Sequence, residues 1–194
     1  LSADRFISVN IIVQKYGGTS VGSIPKIKSV ADRILRTKAT GAAMVVVVSA
    51  MGHTTDRLVN LARAITRKPS RREMDMLLST GEQISIALLS LAIQERGAKA
   101  ISMTGLQSGI VTDANHSMAK IKSVKTDGIL SQLGQDQVVI VAGFQGVSNA
   151  LEITTLGRGG SDTTASALAV ALRAQRCKIY TDVDGGFTAD PNLV

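Results

Sequence analysis

The sequence predicts an α/β domain in which a mainly parallel β-sheet lies between two layers of helices. Three short runs, Val9 to Val13, Met44 to Val48 and Val138 to Ala142, are apolar at nearly every position and rich in β-branched residues. Such runs are typical of strands covered on both faces, as in a parallel sheet with helices above and below. Helical patterns alternate with these runs along the chain, which indicates a layered α/β architecture.

Four helices are predicted between and after the strands. Ser23 is expected to cap the first helix, and Asp56 to precede the second. The third covers Glu73 to Arg96 and contains Gly81, a residue that costs about 1 kcal/mol in a helix relative to alanine. Gly81 therefore predicts either a break in the helix or a close approach of another segment. The last helix is expected to begin at Ser161.

Two weaker strand candidates are Lys99 to Met103 and Lys178 to Tyr180. Cys177 adjoins the second of these and is interpreted as a buried core thiol rather than a nucleophile. It is the only cysteine of the chain, so it has no partner for an internal disulfide. That pattern favours a reducing compartment, and we expect a cytoplasmic protein.

Composition excludes several classes of function. The chain has 194 residues, about the size of one domain, and no window approaches the roughly 18 consecutive apolar residues of a membrane span. The net charge is +7, but the basic residues are scattered along predicted helices and only 3% of residues are aromatic. We therefore expect neither a nucleic-acid partner nor a membrane partner.

A glycine-bearing segment follows the first strand. Lys15 ends the strand, and Gly17 and Gly18 are followed by the hydroxyl side chains of Thr19 and Ser20. Glycines let backbone amides approach phosphate oxygens, hydroxyls add donors, and a lysine neutralises a phosphoryl group in transfer. The pattern is equally compatible with a tight turn and a surface lysine, so both interpretations stand at this point.

The segment after the second strand begins at Ser49. Ligands of open α/β sheets bind beyond the carboxyl ends of the strands, and Ser49, Thr54 and Thr55 follow such an end. These side chains are therefore candidates for substrate contact. On its own, however, the segment is better explained as a strand-to-helix loop with Thr55 or Asp56 as a capping residue.

Three glycines surround Arg158 within the segment Thr155 to Asp162. They keep side chains away from a planar guanidinium group, which binds carboxylates in bidentate fashion. Ser161 and Asp162 follow at the predicted helix start. Asp162 alone would be an ordinary helix N-terminal charge, but the glycine-rich setting of Arg158 favours a binding site.

Glu82 lies beside the glycine of the third helix. Its carboxylate is either exposed or faces the site and holds a substrate ammonium group. His53 and His116 are single histidines without a second ligand at metal spacing, so we interpret both as surface-loop residues and predict no metal site in the protein. Asp113 to Ser117 and Val147 to Glu152 are polar and predict exposed turns or hairpin tips.

Taken in order, these segments resemble the aspartate kinases of the amino-acid kinase superfamily. The resemblance covers roughly residues 10 to 194, and several long motifs occur in the order of that family. They are Lys15 to Ser20, Ser49 to Gly52, Glu73 to Asp75 with Thr80 to Glu82, Val141 to Gly146, Thr155 to Ala165, Thr181 to Gly185 and Thr188 to Pro191.

The resemblance implies the amino-acid kinase fold, a three-layer α/β/α sandwich with an eight-stranded, mainly parallel central sheet. It further implies a catalytic domain over residues 10–194, after an N-terminal extension of residues 1–9. We expect that domain to be cut short at its C-terminal end and to lack the ACT regulatory domains of the family.

The resemblance also implies the reaction. The γ-phosphoryl group of ATP, bound with Mg²⁺, would pass to the β-carboxylate of L-aspartate and give 4-phospho-L-aspartate, the first step towards lysine, threonine and methionine. Lys15 would stabilise the group in transfer and Asp162 would orient that lysine. Arg158 would hold the substrate α-carboxylate and Glu82 its α-ammonium group.

The remaining site residues are also carried over from the resemblance. Ser49 and Thr55 would line the aspartate pocket. The expected nucleotide-binding residues are Gly17, Gly18, Ser20, Gly160, Ser161, Thr181 and Asp182.

A second hypothesis belongs to a different class, an inactive fragment or paralogue that binds a ligand or a partner chain. Phe187 and Asn192 motivate it, since they replace the tyrosine and arginine usual in the family. Apolar surface left by the shortened domain would favour self-association or pairing with another chain. A third hypothesis is another amino-acid kinase relative with a different substrate, which the pairing of Arg158 with Glu82 argues against.

Overall fold

The computed structural model describes residues 10–180, which form five helices and nine strands. The helices are α1 (Ile24–Lys38), α2 (Thr54–Ile65), α3 (Arg71–Gln94), α4 (Asp127–Gly134) and α5 (Gly160–Ala171). The strands are β1 (Ile11–Tyr16), β2 (Ala43–Val48), β3 (Ala100–Met103), β4 (Ile110–Thr112), β5 (Ile121–Val124), β6 (Val138–Ala142), β7 (Gln145–Ser148), β8 (Ile153–Thr155) and β9 (Arg176–Tyr180).

The main sheet has five strands in the order β3-β6-β2-β1-β9, and every pairing in it is parallel. The three apolar runs of the sequence are its central strands β1, β2 and β6, which confirms the predicted parallel sheet. The predicted bounds of β6 are those observed. The first strand begins at Ile11 and continues to Tyr16, and Val9 lies outside the described residues.

Helices cover both faces of this sheet, so the predicted three-layer sandwich is confirmed. One core joins α1 and α3 to the sheet face that carries Ile12 and Tyr16. The other joins α4 and α5 to the opposite face, which carries Ile11 and Val13. Because side chains alternate along a strand, Lys15 at the carboxyl end of β1 points to the α5 side.

A second, mixed sheet of four strands, ordered β5-β4-β7-β8, accompanies the main sheet. Within the described residues the chain thus forms two sheets and not the single eight-stranded sheet that the resemblance implied. The strands of the second sheet are short and lack long apolar runs, so the sequence pattern did not reveal them. Val147 and Ser148 were predicted in a turn but are buried residues of β7, and only 149–152 form the hairpin tip.

Helix α3 runs unbroken through Gly81, so the predicted break is wrong and the alternative, a close approach, is confirmed. A Cβ atom at Gly81 would lie 2.9 Å from the Cβ atom of Ala50. By length and composition α3 is apolar enough to cross a membrane, but its buried face packs on the sheet as in the core helix of a layered domain.

Two smaller predictions had opposite outcomes. Ser23 caps α1 as expected, accepting a hydrogen bond from the backbone amide of Lys26 at 3.4 Å. Cys177, predicted to be a buried thiol, is exposed. It lies in β9, an edge strand of the main sheet in the described part of the chain, where few neighbours cover its side chain.

Candidate active site

A cleft of about 290 Å³ opens where the carboxyl ends of β1 and β2 meet the segment after β6 and the start of α5. The fold explains its position, since ligand sites of open α/β sheets lie beyond the carboxyl ends of the strands. The structure brings most of the predicted site residues together around it. They are Lys15, Gly18, Ser49, Thr55, Glu82, Arg158, Gly160, Ser161 and Asp162.

Lys15 and Asp162 form an ion pair in this cleft. The lysine Nζ atom lies 2.8 Å from Oδ1 of Asp162, and the two side chains are 10% and 46% exposed. The pair follows from the fold, because Lys15 points from β1 towards the first turn of α5, where Asp162 lies. The half-exposed carboxylate therefore orients a lysine whose ammonium group remains at the cleft wall.

Glu82 is a buried carboxylate at the cleft, only 3% exposed. Its Oε1 atom accepts a hydrogen bond from the backbone amide of Ala50 at 3.1 Å. Its Oε2 atom has no hydrogen-bond partner among the described residues. Burial raises the pKa of Glu82 from 4.5 to about 7, against the opposing effect of the Ala50 amide. A buried, half-satisfied carboxylate is suited to a cationic group of a ligand.

The pKa of Glu82 predicts that stability depends on pH. Because its folded-state pKa of about 7 exceeds the unfolded value of 4.5, the folded state binds more protons between these values, and stability falls as pH rises through that window. The difference between the two pKa values corresponds to roughly 3 kcal/mol. Urea unfolding of the ligand-free protein between pH 5 and pH 8 measures it.

Glu82→Gln is the matched control for this prediction, because glutamine can still accept the Ala50 amide hydrogen bond. We expect the variant to gain stability relative to the wild type as the pH rises. A stability difference between the two proteins that stays constant from pH 5 to pH 8 would contradict the assigned pKa.

Arg158 lies on an exposed loop that leads into α5. Gly159, the residue before α5, has a φ of 78°, a left-handed conformation that favours glycine, and so turns the chain into the helix. Gly157 has open space where a side chain would be. Arg158 itself forms no ion pair with any other residue of 10–180, so its guanidinium group is available to an anionic ligand.

Gly18 is required by a close approach of two loops. A Cβ atom there would lie 2.6 Å from the carbonyl oxygen of Ala50, and the Gly18 carbonyl accepts the amide of Gly52 at 3.0 Å. The sequence assigned Gly18 to phosphate binding alone. Its position shows that it also joins the loops that follow β1 and β2.

Gly18→Ala is therefore expected to lower the free energy of unfolding by about 1–3 kcal/mol, since backbone must move to admit the methyl group. Urea unfolding measures this. Gly134→Ala is the control, because Gly134 ends α4 with no heavy atom within 4 Å of the added Cβ and alanine favours the helix. Equal destabilisation by the two changes would contradict the close approach.

Other predicted site residues lie elsewhere. Gly17 is beside the site, since a Cβ atom there would lie 3.6 Å from Nζ of Lys15. Ser20 lines a neighbouring cleft with Tyr16 and Lys26 and is not among the residues that line the first one. Thr181 and Asp182 lie outside the described residues.

Sequence reasoning missed two features of the site. Phe144 lines the cleft with a φ of 66°, an uncommon backbone conformation for an aromatic residue. Asp75 is a fully buried carboxylate of α3 that holds His116, which lies in a turn as predicted but keeps only 21% of its side chain exposed. Asp75 precedes Glu82 by seven residues, a spacing that puts both carboxylates on one helix face. That spacing was the sequence signal from which Asp75 could have been found.

The chain belongs to the amino acid kinase family, whose family model matches residues 10–194. It is similar to the aspartokinase of Geobacillus stearothermophilus, with 60% identity over 96% of this chain and 46% of that protein. Aspartokinase 2 of Bacillus subtilis (strain 168) is 59% identical over the same shares. The chain thus spans about half the length of these relatives.

Solved structures agree with this assignment. Aspartate kinase from Synechocystis superposes with a TM-score of 0.81 and 56% identity, over 95% of this chain and 30% of that one. E. coli aspartokinase III, solved in complex with aspartate and ADP, superposes with a TM-score of 0.79 and 30% identity, over 95% of this chain and 52% of that one.

Proposed function

We propose that the protein transfers the γ-phosphoryl group of ATP to the β-carboxylate of L-aspartate, giving 4-phospho-L-aspartate. The observation that carries this proposal is the union, in one cleft, of the Lys15–Asp162 ion pair with Arg158 and the buried Glu82. The similarity to aspartokinases at 59% and 60% identity supports the same reaction. The reaction opens the biosynthesis of lysine, threonine and methionine, which fits a cytoplasmic enzyme.

The cleft offers one group for each end of a free amino acid. Arg158 binds the α-carboxylate through its planar guanidinium fork. Glu82 receives the α-ammonium group at its Oε2 atom, which has no partner among residues 10–180. Ser49 and Thr55 line the same cleft and add hydroxyl groups for polar contacts. An amino acid whose nitrogen is acylated leaves Glu82 without a cation and is disfavoured.

Lys15 stabilises the phosphoryl group as it passes between oxygens. The carboxylate of aspartate is already ionised at neutral pH, so no general base is needed. Catalysis then reduces to positioning and charge neutralisation, as in other phosphoryl transfers. Asp162 keeps the Lys15 ammonium group at the cleft through the 2.8 Å ion pair, and α5 presents the positive end of its helix dipole to anionic oxygens.

The nucleotide binds next to Lys15 with its phosphates over Gly17 and the first turn of α5. Gly17 places no side chain beside the lysine Nζ atom, which would lie 3.6 Å from a Cβ atom at this position, and this suits a close approach of phosphate oxygens. Mg²⁺ accompanies ATP and neutralises phosphate charge. We assign the ion to the nucleotide and to no separate protein site.

A hydroxylamine-trapping assay tests this function. The purified protein is incubated with Mg-ATP and either L-aspartate, L-glutamate or N-acetyl-L-glutamate, and the hydroxamate formed is measured. We expect hydroxamate with L-aspartate only. No product from a folded sample, or equal product from all three acids, would contradict the proposal.

A further inference from the structure

Asp75 stands out among the ionisable groups outside the cleft, because its side chain is fully buried. It lies on α3 seven residues before Glu82. Seven residues are slightly under two helical turns, so the two carboxylates share one face, about 10 Å apart along the helix axis. Helix α3 thus carries one carboxylate at the cleft and a second one two turns away.

The carboxylate of Asp75 gathers three residues from two other segments. It accepts the hydroxyl of Thr155 at 2.5 Å and the backbone amide of Ser117 at 3.0 Å from each oxygen. Its Oδ2 atom also lies 2.7 Å from Nδ1 of His116. A carboxylate accepts at both oxygens, so an amide side chain at this position would present a donor to at least one of these donors.

Thr155 connects this cluster to the candidate site. It is the last residue of β8 and precedes Arg158 by three residues. The β7–β8 hairpin is further held on α3 by Arg72, whose Nε atom lies 2.8 Å from Glu152. Gln145 adds a hydrogen bond to the carbonyl of Ser79 at 2.9 Å. Of these contacts, the one made by Asp75 lies nearest in the chain to the arginine loop.

The other end of this stretch of α3 is fixed as well. Glu82 binds the Ala50 amide, and Gly81 packs against the Ala50 side chain. Helix α3 is therefore held at two points. Glu82 is hydrogen-bonded to the loop after β2, and Asp75 is hydrogen-bonded to β8, the strand that leads to Arg158.

We propose that Asp75 is a positioning residue that fixes the distance between Glu82 and Arg158. The inference rests on the proposed function, in which these two groups hold the ammonium and carboxylate of one amino acid. A purely stabilising role explains the burial of Asp75 less well, since a buried carboxylate loses hydration and adds little net stability. Its hydrogen bonds instead set geometry, and a misplacement of about 1 Å at a two-point site is costly.

The test compares ligands that engage both groups or only one. L-aspartate engages both, succinate lacks the α-ammonium group, and 3-aminopropanoate lacks the α-carboxylate. Dissociation constants are measured by calorimetry for the wild type, Asp75→Asn and the nearly isosteric Thr155→Val. Thr155→Ser keeps the hydroxyl and serves as the rescue variant. Ser90→Ala changes a buried residue farther along α3 and serves as the control.

We expect Asp75→Asn and Thr155→Val to weaken L-aspartate binding by about tenfold or more, and to change the two single-point ligands by less than about twofold. Thr155→Ser and Ser90→Ala should leave the ratio between ligands unchanged. The two Thr155 variants keep the test decisive if Asp75→Asn does not fold.

Equal weakening of all three ligands, or no weakening, would overturn the role of Asp75 and leave the proposed function standing. A wild-type protein that binds succinate and 3-aminopropanoate as tightly as L-aspartate would overturn the proposed function itself, together with the positioning role that depends on it.

Discussion

Replacing Lys15 with methionine is expected to lower kcat on the order of 10³-fold while the KM for L-aspartate changes little. The reason is electrostatic: the lysine ammonium group is the cation that Asp162 holds at the cleft, and methionine keeps the length of the side chain without its charge. The Asp162 side chain is 46% exposed and lies at the cleft, so it can turn towards water once its partner is lost, and the fold should survive. Steady-state kinetics by hydroxamate formation measures the effect.

Lys28→Met is the control for this prediction, since Lys28 is an exposed residue of α1 that does not line the cleft. It should retain wild-type kcat. A Lys15→Met protein with kcat within about tenfold of the wild type would contradict the role of Lys15 in phosphoryl transfer.

Arg158→Lys is expected to raise the KM for L-aspartate by roughly 10- to 100-fold and to leave the KM for ATP unchanged. Lysine keeps the positive charge but cannot form the two parallel hydrogen bonds that a guanidinium group gives to a carboxylate. Because Arg158 is exposed, the substitution should leave thermal stability as it was. The two KM values are measured with each substrate varied at saturating levels of the other.

Arg67→Lys provides the matched control, as Arg67 is exposed in the loop between α2 and α3, away from the cleft. An L-aspartate KM within about twofold of the wild type in Arg158→Lys would remove Arg158 from the substrate site.

The main sheet could be predicted from sequence because its central strands are buried on both faces. The run from Met44 to Val48 is apolar at every position, which predicts burial on both faces, and none of its five side chains has any exposed surface. The mixed sheet could not be predicted in this way. Its strands are three or four residues long, too short for a periodic pattern, and its two halves are joined by the pairing of β4 with β7, which lie far apart in the chain.

The candidate site likewise contains residues that local sequence predicts and features that depend on packing. Lys15, Arg158 and Asp162 lie next to glycines at strand and helix ends, where local sequence signals are strong. The burial of Glu82 and the hydrogen bonds of Asp75 depend on how α3 packs against two loops, which no local pattern encodes. The two alternatives at Gly81 stayed open for the same reason, since the contact of Gly81 with Ala50 depends on that packing.

The most direct test of the central claim follows oxygen from the substrate into phosphate. L-aspartate labelled with ¹⁸O in its β-carboxylate is incubated with Mg-ATP and the protein, hydroxylamine cleaves the acyl phosphate at its carbonyl carbon, and ³¹P NMR reads the released phosphate. The account predicts one ¹⁸O atom in each phosphate formed, because the carboxylate oxygen attacks the γ-phosphorus atom. Phosphate that carries no ¹⁸O and forms equally fast without aspartate would contradict it.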